Sequence, residues 1–478
     1  MQKQQKINIY HLPLNIIETI FDYNPQIYWL NEVLKKEDWK QICLNEVHLD
    51  KHVVSSSFLS LVKEKPPLNI QKLCIDEFFL TSHQAFKPVH HYNFENVLKS
   101  CNPETLQDLK MTCFYFESDN SNNNNINEHF RLISDNTQIH RGLSPFIHLK
   151  KLHLNFGKEK TTNIIFQCVS YMKQLQHLHI PFCENITDDG FQLLSSSTQL
   201  THLTLSCCSL ITNKGLKWLS LLSNLQLLKI HFVTAHNITI EGLKYLHCLT
   251  KLTHLDVYCT NSDVFTDELF EVWCGSLKKL NFIEFNTNNN ITSQSLIWFS
   301  SLTKLQHLNL QDYDFAEVIQ HDRIKHLSYH SLKNLTHLQL LFDDDFHTLE
   351  NVIEGLKHIS HFEQLTDLSL SESHHITDEG ISHLSNLKKL TSLELDGLPN
   401  EYSNITNKGL KYISQLTELT HLLLSSCSNT TNEGLQYLHS LKKLKYLEMM
   451  DEDGCGISEE AFLHFQKKMP ECVVYTCL

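Results

Sequence analysis

The sequence predicts an α/β solenoid, in which short parallel strands and helices stack as near-identical units. Three observations predict it. A Leu-x-x-Leu-x-Leu pattern, with some apolar replacements, recurs twelve times at spacings of 25 to 30 residues. Each copy begins with the period of a strand and continues with the period of a helix. A short polar turn joins the two halves. The copies begin at Leu149, Leu175, Leu200, Leu225, Leu252, Leu280, Leu305, Leu335, Leu365, Leu390, Leu419 and Leu444.

The strand half of a unit is clear in "LTHLTLSCC", residues 200–208. Leu200 precedes Leu203 and Leu205, and the spacing ends in the period-two alternation of a strand with one buried face. The residues between these leucines should therefore point to the other face of the sheet.

The helix half is clear in "GLQYLHSLKKL", where Leu435, Leu438 and Leu441 form one apolar stripe. The turn before it reads "ITDDG", "ITNKG", "ITDEG" or "TTNEG". We expect the Thr to cap the helix, the acidic residues to suit the helix dipole, and the Gly to allow close approach of a neighbour. The Thr residues are Thr187, Thr212, Thr377 and Thr431, and the Gly residues are Gly190, Gly215, Gly242, Gly380, Gly409 and Gly434.

One such unit cannot bury its apolar face alone, whereas stacked units can, with strands on the inside and helices on the outside. Weaker copies occur at 70–75 ("IQKLCI") and 106–111 ("LQDLKM"). The connections after Leu310 and Leu340 are longer, and we interpret them as enlarged units. The Asn-rich segment 118–129 should be a loop. The final residues, "MPECVVYTCL", should form a capping strand.

The repeat resembles the leucine-rich repeat family, and in particular its cysteine-containing subtype. The subtype's marker, Leu-x-x-Leu-x-Leu-x-x-Cys, is present at Cys183, Cys208 and Cys427. The resemblance covers residues 68–478. It implies a horseshoe with parallel strands on the concave face and helices on the convex face. These cysteines are expected to be small buried hydrophobic residues.

Residues 11–46 follow a different pattern: Leu-Pro, an Ile-rich helical stretch that ends in Ile-Phe, and a later Trp. This order resembles the F-box family. The resemblance implies that the segment binds the Skp adaptor of a cullin–RING ubiquitin ligase. On the residues alone, a small helical bundle that caps the open edge of the solenoid is the alternative. The adaptor-binding residues would be Leu12, Pro13, Ile16, Ile17, Ile20, Phe21 and Trp39.

These patterns divide the chain into three parts. Residues 1–50 are predicted to form the F-box-like helical segment. Residues 51–147 are predicted to hold irregular repeats and the Asn-rich loop. Residues 148–478 are predicted to form the leucine-rich repeat solenoid with its C-terminal cap.

Composition limits the class of partner. The 478-residue chain has 54 acidic and 40 basic residues, a formal charge of −14, which disfavours nucleic acid and membranes as partners. The fifteen cysteines are odd in number and fit no disulfide framework of a small secreted domain. The first residues lack the apolar core of a signal peptide, and no run approaches the ~18 apolar residues of a membrane span. We expect a cytoplasmic protein, in the host cytosol if it is a bacterial effector.

The sequence predicts no catalytic, cofactor-binding or metal-binding residues. Motifs for a catalytic serine, a zinc protease or a phosphate loop are absent. Repeat positions are counted from the first Leu of the pattern, so that Leu200 is position 1 and His202 is position 3. Copying of a Leu-Thr-His-Leu unit explains the His residues at position 3 better than a metal site does. Too few residues follow the last repeat for the catalytic domain of a bacterial leucine-rich repeat ligase. The six third-position residues are His177, His202, His254, His307, His337 and His421.

A partner should bind the face formed by repeat positions 3, 5 and 7. Aromatic residues beside carboxylates are typical of interface hot spots, and the acidic members favour a basic or neutral protein. An ordinary exposed sheet face is the other interpretation. The predicted target-binding residues are His254, Asp256, Tyr258, Phe282, Glu284, Tyr446 and Glu448.

The sequence therefore predicts a substrate-recognition adaptor of an SCF-type ubiquitin ligase that is not an enzyme. Its F-box would bind the Skp-type adaptor, and its repeats would hold an unknown target protein. The alternative is a plain leucine-rich repeat interaction module, as in a scaffold, an inhibitor or a bacterial effector, without a ligase.

Overall fold

A computed structural model gives the fold of the chain. It describes residues 43–49, 69–78, 98, 102–113, 136–155, 161–233, 237–285, 293–310, 327, 330–341, 349–371, 376–395, 405–425, 429–450 and 456–476. The chain divides into two compact units, Met1–Asn237 and Ile238–Leu478, which we call the N-terminal unit and the C-terminal unit.

In each unit the strands lie in chain order, and the recorded pairings between neighbours are parallel. The N-terminal unit contains β1 (Cys43–Leu49), β2 (Asn69–Phe78), β3 (Asp108–Cys113), β4 (Lys151–Asn155), β5 (His177–Ile180), β6 (His202–Leu205) and β7 (Leu227–Phe232). The C-terminal unit contains β8 (His254–Cys259), β9 (Phe282–Phe285), β10 (His307–Leu310), β11 (His337–Leu341), β12 (Asp367–Ser371), β13 (Ser392–Leu395), β14 (His421–Ser425), β15 (Tyr446–Met450) and β16 (Val473–Thr476).

Short helices connect the strands. The N-terminal unit contains α1 (Asn136–Leu143), α2 (Asn163–Tyr171), α3 (Asp188–Leu194) and α4 (Asn213–Leu219). The C-terminal unit contains α5 (Ile240–Lys244), α6 (Asp267–Ser276), α7 (Ser293–Phe299), α8 (Leu349–Ile359), α9 (Asp378–Leu384), α10 (Asn407–Ile413), α11 (Asn432–Tyr437) and α12 (Glu459–Lys468). Within the described ranges, every helix is too short or too polar to cross a lipid bilayer. This order of parallel strands and connecting helices confirms the leucine-rich repeat fold.

The repeated leucines form the core. Leu200, Leu203 and Leu205 of one repeat are fully buried, as are Leu216 and Leu219 on the helix that follows. Burial of each such side chain contributes about 1.5–3 kcal/mol relative to leaving it exposed. Each repeat gains this only from its neighbours, because its own two elements are too small to enclose an apolar face.

Backbone hydrogen bonds set the register where each strand begins. The N–H groups of Thr201 and His202 both donate to the carbonyl oxygen of Gln176, at 2.8 and 2.9 Å. The same pattern joins Thr336 and His337 to Gln306, at 2.8 and 2.9 Å. Equivalent repeat positions therefore lie side by side.

A polar inter-repeat clamp fixes the turns on the helix side. Asp188, the first residue of α3, accepts hydrogen bonds from the Thr212 N–H at 2.9 Å and the Thr212 hydroxyl at 2.6 Å. Asp378 of α9 accepts from Thr406 in the same way, at 2.9 and 2.7 Å. The carboxylate satisfies a backbone donor of the next repeat and fixes that repeat's turn.

Where the clamp residue is Asn instead of Asp, the Thr hydroxyl accepts a hydrogen bond from it instead of donating one. Asn163 accepts from the Thr187 N–H at 3.0 Å and donates to the Thr187 hydroxyl oxygen at 2.8 Å. Asn407 and Thr431 repeat this arrangement at 2.9 and 2.8 Å. Whether the Thr hydroxyl donates or accepts thus depends on the residue one repeat earlier.

The clamps explain where the capping prediction is confirmed and where it is wrong. The Thr212 hydroxyl, which donates to Asp188, still accepts from the Lys214 N–H, and Thr377 accepts from the Gly380 N–H. Thr187 and Thr431 make no capping bond, because their hydroxyl oxygens accept from the clamp amides instead.

Glycine in the turns that carry a clamp reflects the clamp as well. A Cβ at Gly215 would lie 2.5 Å from Asp188 Oδ1, and one at Gly434 would lie 2.3 Å from Asn407 Oδ1. The predicted close approach is therefore confirmed at these two turns. The neighbour that approaches is the clamp side chain of the preceding repeat.

Two further predictions concern the ends of the chain. The expected capping strand is present as β16, which pairs with β15. At the other end, β1 lies inside the 1–50 segment that was predicted to be helical, so that prediction is wrong for 43–49. Its sequence LNEVHL repeats the leucine pattern with Val47 at the second leucine position, and Val47 pairs with Leu73 of β2. The Asn-rich segment 118–129 lies outside the described residues.

We expect Gly215→Ala to lower the free energy of unfolding by about 2 kcal/mol, because the new methyl group displaces the Asp188 carboxylate from Thr212. Urea denaturation followed by circular dichroism measures this. Gly275→Ala is the matched control, since a Cβ there meets no atom within 4 Å. It should be neutral or stabilise α6 by up to about 1 kcal/mol. Equal effects of the two substitutions would contradict a role for the clamp.

Candidate protein-interaction surface

Side chains on the strands alternate between the core and an open face. In β9, Ile283 and Phe285 are buried at 0% and 3% exposure, whereas Phe282 and Glu284 are partly exposed. Positions 3 and 5 of the repeat thus form the open face, which we call the strand face of each unit.

The third position builds a column of rings across the C-terminal unit. His254 pairs in register with Phe282, Phe282 with His307, and His307 with His337. The successive ring centroids are 5.5, 4.1 and 5.4 Å apart. The next residue in the column is Asp367. We call these five residues the ring column.

A close His–Asp pair ends the ring column. The Thr336 hydroxyl donates to the Gln306 carbonyl at 3.0 Å, so its oxygen is left to accept from His337 Nδ1 at 2.8 Å. His337 Nε2 lies 3.0 Å from Asp367 Oδ2. Both ring nitrogens therefore lie within hydrogen-bonding distance of side-chain oxygen atoms.

The other rings of the column are uncharged near neutral pH. Burial lowers the pKa of His254 below its ordinary value of 6.5. Burial, reinforced by His337, lowers the pKa of His307 to about 4, although Asp367 acts in the opposite direction. The column thus offers three neutral rings followed by the His337–Asp367 pair.

Carboxylates line the strand face beside the column. Asp256 and Glu284 are neighbours in the fifth position, and Glu284 Oε1 accepts from Asn309 Nδ2 at 3.1 Å. Asp256 is only 7% exposed, whereas Tyr258 at the end of β8 is 42% exposed. Positions 3 and 5 of β8–β16 hold no Lys or Arg and have the carboxylates Asp256, Glu284, Asp367, Glu394 and Glu448.

A second group surrounds Tyr446 on β15. Its hydroxyl donates to Glu448 Oε2, and this bond is the main reason that the pKa of Tyr446 rises to about 12. The Tyr446 ring lies between His421, with centroids 6.0 Å apart, and Tyr475, at 5.3 Å. These rings form a smaller patch near the end of the C-terminal unit.

The structure brings the predicted target-binding residues together in two groups. His254, Asp256, Tyr258, Phe282 and Glu284 lie on adjacent strands, and Tyr446 lies beside Glu448 on β15.

Sequence analysis missed Asp367 and Tyr475 and did not assign His307 or His337 to the target surface. Comparison of the third positions of successive repeats could have found His307, His337 and Asp367. Tyr475 lies beyond the last full repeat, so that comparison does not reach it. The seven predicted adaptor-binding residues lie outside the described residues.

The described residues include no group of three or more His, Cys, Asp or Glu side chains that could hold a metal ion. The marker thiols Cys183 and Cys208 are buried, and Cys183 donates to the Ile180 carbonyl oxygen at 3.3 Å. Burial holds the pKa of Cys208 well above its ordinary value and raises that of Cys259 and Cys274 to about 12. At neutral pH Cys208, Cys259 and Cys274 are therefore protonated and poorly nucleophilic.

We expect the C-terminal unit to lose stability as the pH falls below about 6.5, the ordinary pKa of His. The folded protein keeps His307 neutral down to about pH 4, whereas the unfolded chain takes up its proton near pH 6.5. His307→Phe removes this proton uptake while keeping a ring in the column. Between pH 7.5 and pH 5, the free energy of unfolding of this variant should fall less than that of the wild type. The difference should be on the order of 1 kcal/mol, a figure already reduced for solvent screening.

Urea denaturation at the two pH values measures this difference. Ser392→Ala on β13 supplies the control, since it removes no titratable group, and it should leave the pH dependence of the wild type intact. An unchanged pH dependence in His307→Phe would show that the ring is not held neutral by its site.

No protein-family model matches the chain, and no curated protein matches it. Among solved structures, the chain is similar to an internalin from Listeria monocytogenes. The identity is 18% over 71% of this chain and 88% of that chain, with a TM-score of 0.43. It is also similar to the structure of a Rad7 and Elc1 complex in yeast. There the identity is 16% over 73% of this chain and 87% of that chain, with a TM-score of 0.44.

Proposed function

We propose that the chain is a non-catalytic recognition protein that holds a target protein on the strand face of its C-terminal unit. We further propose that its N-terminal segment binds the Skp-type adaptor of a cullin–RING ubiquitin ligase. The chain would then raise the effective concentration of the target's lysines near the ligase. A cofactor has no part in this mechanism.

The observation that carries the recognition role is the ring column. Its rings are partly exposed, they lie in register on adjacent strands, and three of them are uncharged near neutral pH. Neutral rings lose little hydration when a partner covers them, and rigid aromatic side chains are frequent in interface hot spots.

The charges beside the column favour one kind of target. Five carboxylates and no Lys or Arg occupy positions 3 and 5 of β8–β16. A segment with apolar side chains for the rings and basic side chains for the carboxylates has the matching chemistry. Asp256, which is 7% exposed, offers a partner little contact surface.

The adaptor role rests on the F-box resemblance of residues 11–46 and on their place before a leucine-rich repeat array. The alternative, a recognition module without a ligase, shares the target surface and lacks only this contact. The two roles can therefore be tested separately.

For the target surface, we expect Phe282→Ala to weaken target binding at least about tenfold, because it removes the central neutral ring of the column. Affinity capture with quantitative mass spectrometry should identify proteins held by the wild type and lost with Phe282→Ala. Ser392→Ala is the matched control, since Ser392 has the same repeat position on β13 and lies outside the column. Its captured proteins should match those of the wild type. Loss of the same proteins with both variants, or with neither, would contradict the surface.

For the adaptor, a pull-down with the full chain should recover a Skp-type protein. Ile20→Asp combined with Phe21→Ala should abolish this recovery, because a charge and a truncated ring replace two apolar anchors. Phe282→Ala should retain the adaptor. Failure of the wild-type chain to recover any Skp-type protein would leave the plain recognition module as the function.

A further inference from the structure

The strand face of the N-terminal unit has a different chemistry from that of the C-terminal unit. Across β3–β7, positions 3 and 5 hold three lysines and four histidines, and Asp108 is their only carboxylate. On β7, His231 stands at position 7 of the repeat. The lysines and histidines at positions 3 and 5 are Lys110, Lys151, His153, His177, His179, His202 and Lys229.

The four histidines stack in two pairs. The His153 and His179 ring centroids are 4.0 Å apart with planes inclined by 17°. The His177 and His202 centroids are also 4.0 Å apart, with planes inclined by 19°. Both pairs follow from the register of β4, β5 and β6, and all four rings are partly exposed. We call them the paired histidines.

The pairing sets what the rings can offer a ligand. Because each ring covers the flat face of its partner, at least one face of every ring is occupied. The nitrogen atoms lie at the ring edges. The Thr201 hydroxyl donates to the Gln176 carbonyl at 3.1 Å, so its oxygen accepts from His202 Nδ1 at 2.9 Å. Protonation of the second nitrogen, Nε2, gives the ring a positive charge that attracts an anion.

The surroundings favour the neutral form of His177 and His179 near neutral pH. Burial lowers the pKa of His179, and the positive charges of Lys229 and Lys110 add to this. Burial also lowers the pKa of His177, reinforced by His202 and Lys151. A second proton within a stacked pair would place two positive charges about 4 Å apart, which is unfavourable unless an anion lies beside them.

We propose that the paired histidines and the lysines beside them bind an acidic peptide segment of a partner protein, and that binding tightens as the pH falls below neutral. Carboxylates accept hydrogen bonds from ring edges and from Lys side chains. A bound anion favours the protonated rings, so by linkage a lower pH favours the bound anion.

The geometry favours an acidic peptide over nucleic acid. Single strands are bound by aromatic faces on which bases stack, and here the rings stack on each other. The face holds three lysines, and the whole chain has a formal charge of −14, which opposes a long polyanion. A short acidic segment needs only local complementarity.

The probe is a fluorescein-labelled decaglutamate peptide, and its binding to the full chain is followed by anisotropy at pH 7.5 and 5.8 at one ionic strength. We expect the affinity to rise at least about fivefold at the lower pH. His153→Gln with His179→Gln should remove most of this rise, whereas Lys151→Gln should weaken binding at both pH values. The control, His464→Gln on α12 of the C-terminal unit, should behave as the wild type.

Proton NMR of the histidine rings supplies a second readout that does not depend on affinity. Addition of the peptide should raise the pKa of the paired histidines, and circular dichroism should show that the variants are folded. Three results would each overturn the proposal. These are equal affinity at the two pH values, a full pH response in the folded double variant, and tighter binding of a labelled ten-nucleotide single-stranded DNA than of the peptide. This experiment does not probe the target surface of the C-terminal unit, so its outcome does not test the proposed function.

Discussion

The inter-repeat clamp is the constraint on which the other features of this fold depend. A repeat of one strand and one short helix cannot enclose its own apolar face, so it must be held in register against its neighbour. Asp188 does this by taking both the backbone N–H and the hydroxyl of Thr212. The contact is possible only because Gly215 leaves room for the carboxylate. One Asp, one Thr and one Gly from two repeats thus act together in a single contact.

The register of the strands places equivalent residues of successive repeats side by side in a column. The chemistry of the surface is therefore set by the whole column and not by any single repeat. The third position gives His254, Phe282, His307 and His337 in one unit, closed by the carboxylate of Asp367. The same position in the other unit gives Asp108, Lys151 and the stacked pair of His177 and His202. Across the third and fifth positions together, one repeat pattern therefore yields one face rich in carboxylates and another rich in lysines and histidines.

Much of the fold could be predicted because strands, helices and buried leucines follow short periods that are visible within a single repeat. Contacts between two repeats could not be predicted in this way. Thr187 and Thr212 occupy the same turn position, yet only Thr212 caps its helix, because Asn163 precedes one and Asp188 the other by a full repeat. The strand β1 was not predicted from the leucine pattern because Val47 stands at the second leucine position. The near-complete burial of Asp256 and the pairing of His153 with His179 both arise between strands.

Copying of a Leu-Thr-His-Leu unit can explain why histidines recur, and stacking alone gives each copied ring a favourable neighbour. Copying cannot explain the residues that lie next to the stacked rings. A copied third position would place another His where Asp367 pairs with His337, and another where Lys151 lies beside His177. These residues set the charge beside the rings, which is a carboxylate in one unit and, in the other, a lysine that is itself in register with Asp108. On the proposed surfaces, the departures from the repeat therefore set the charge that a partner would meet beside the repeated rings.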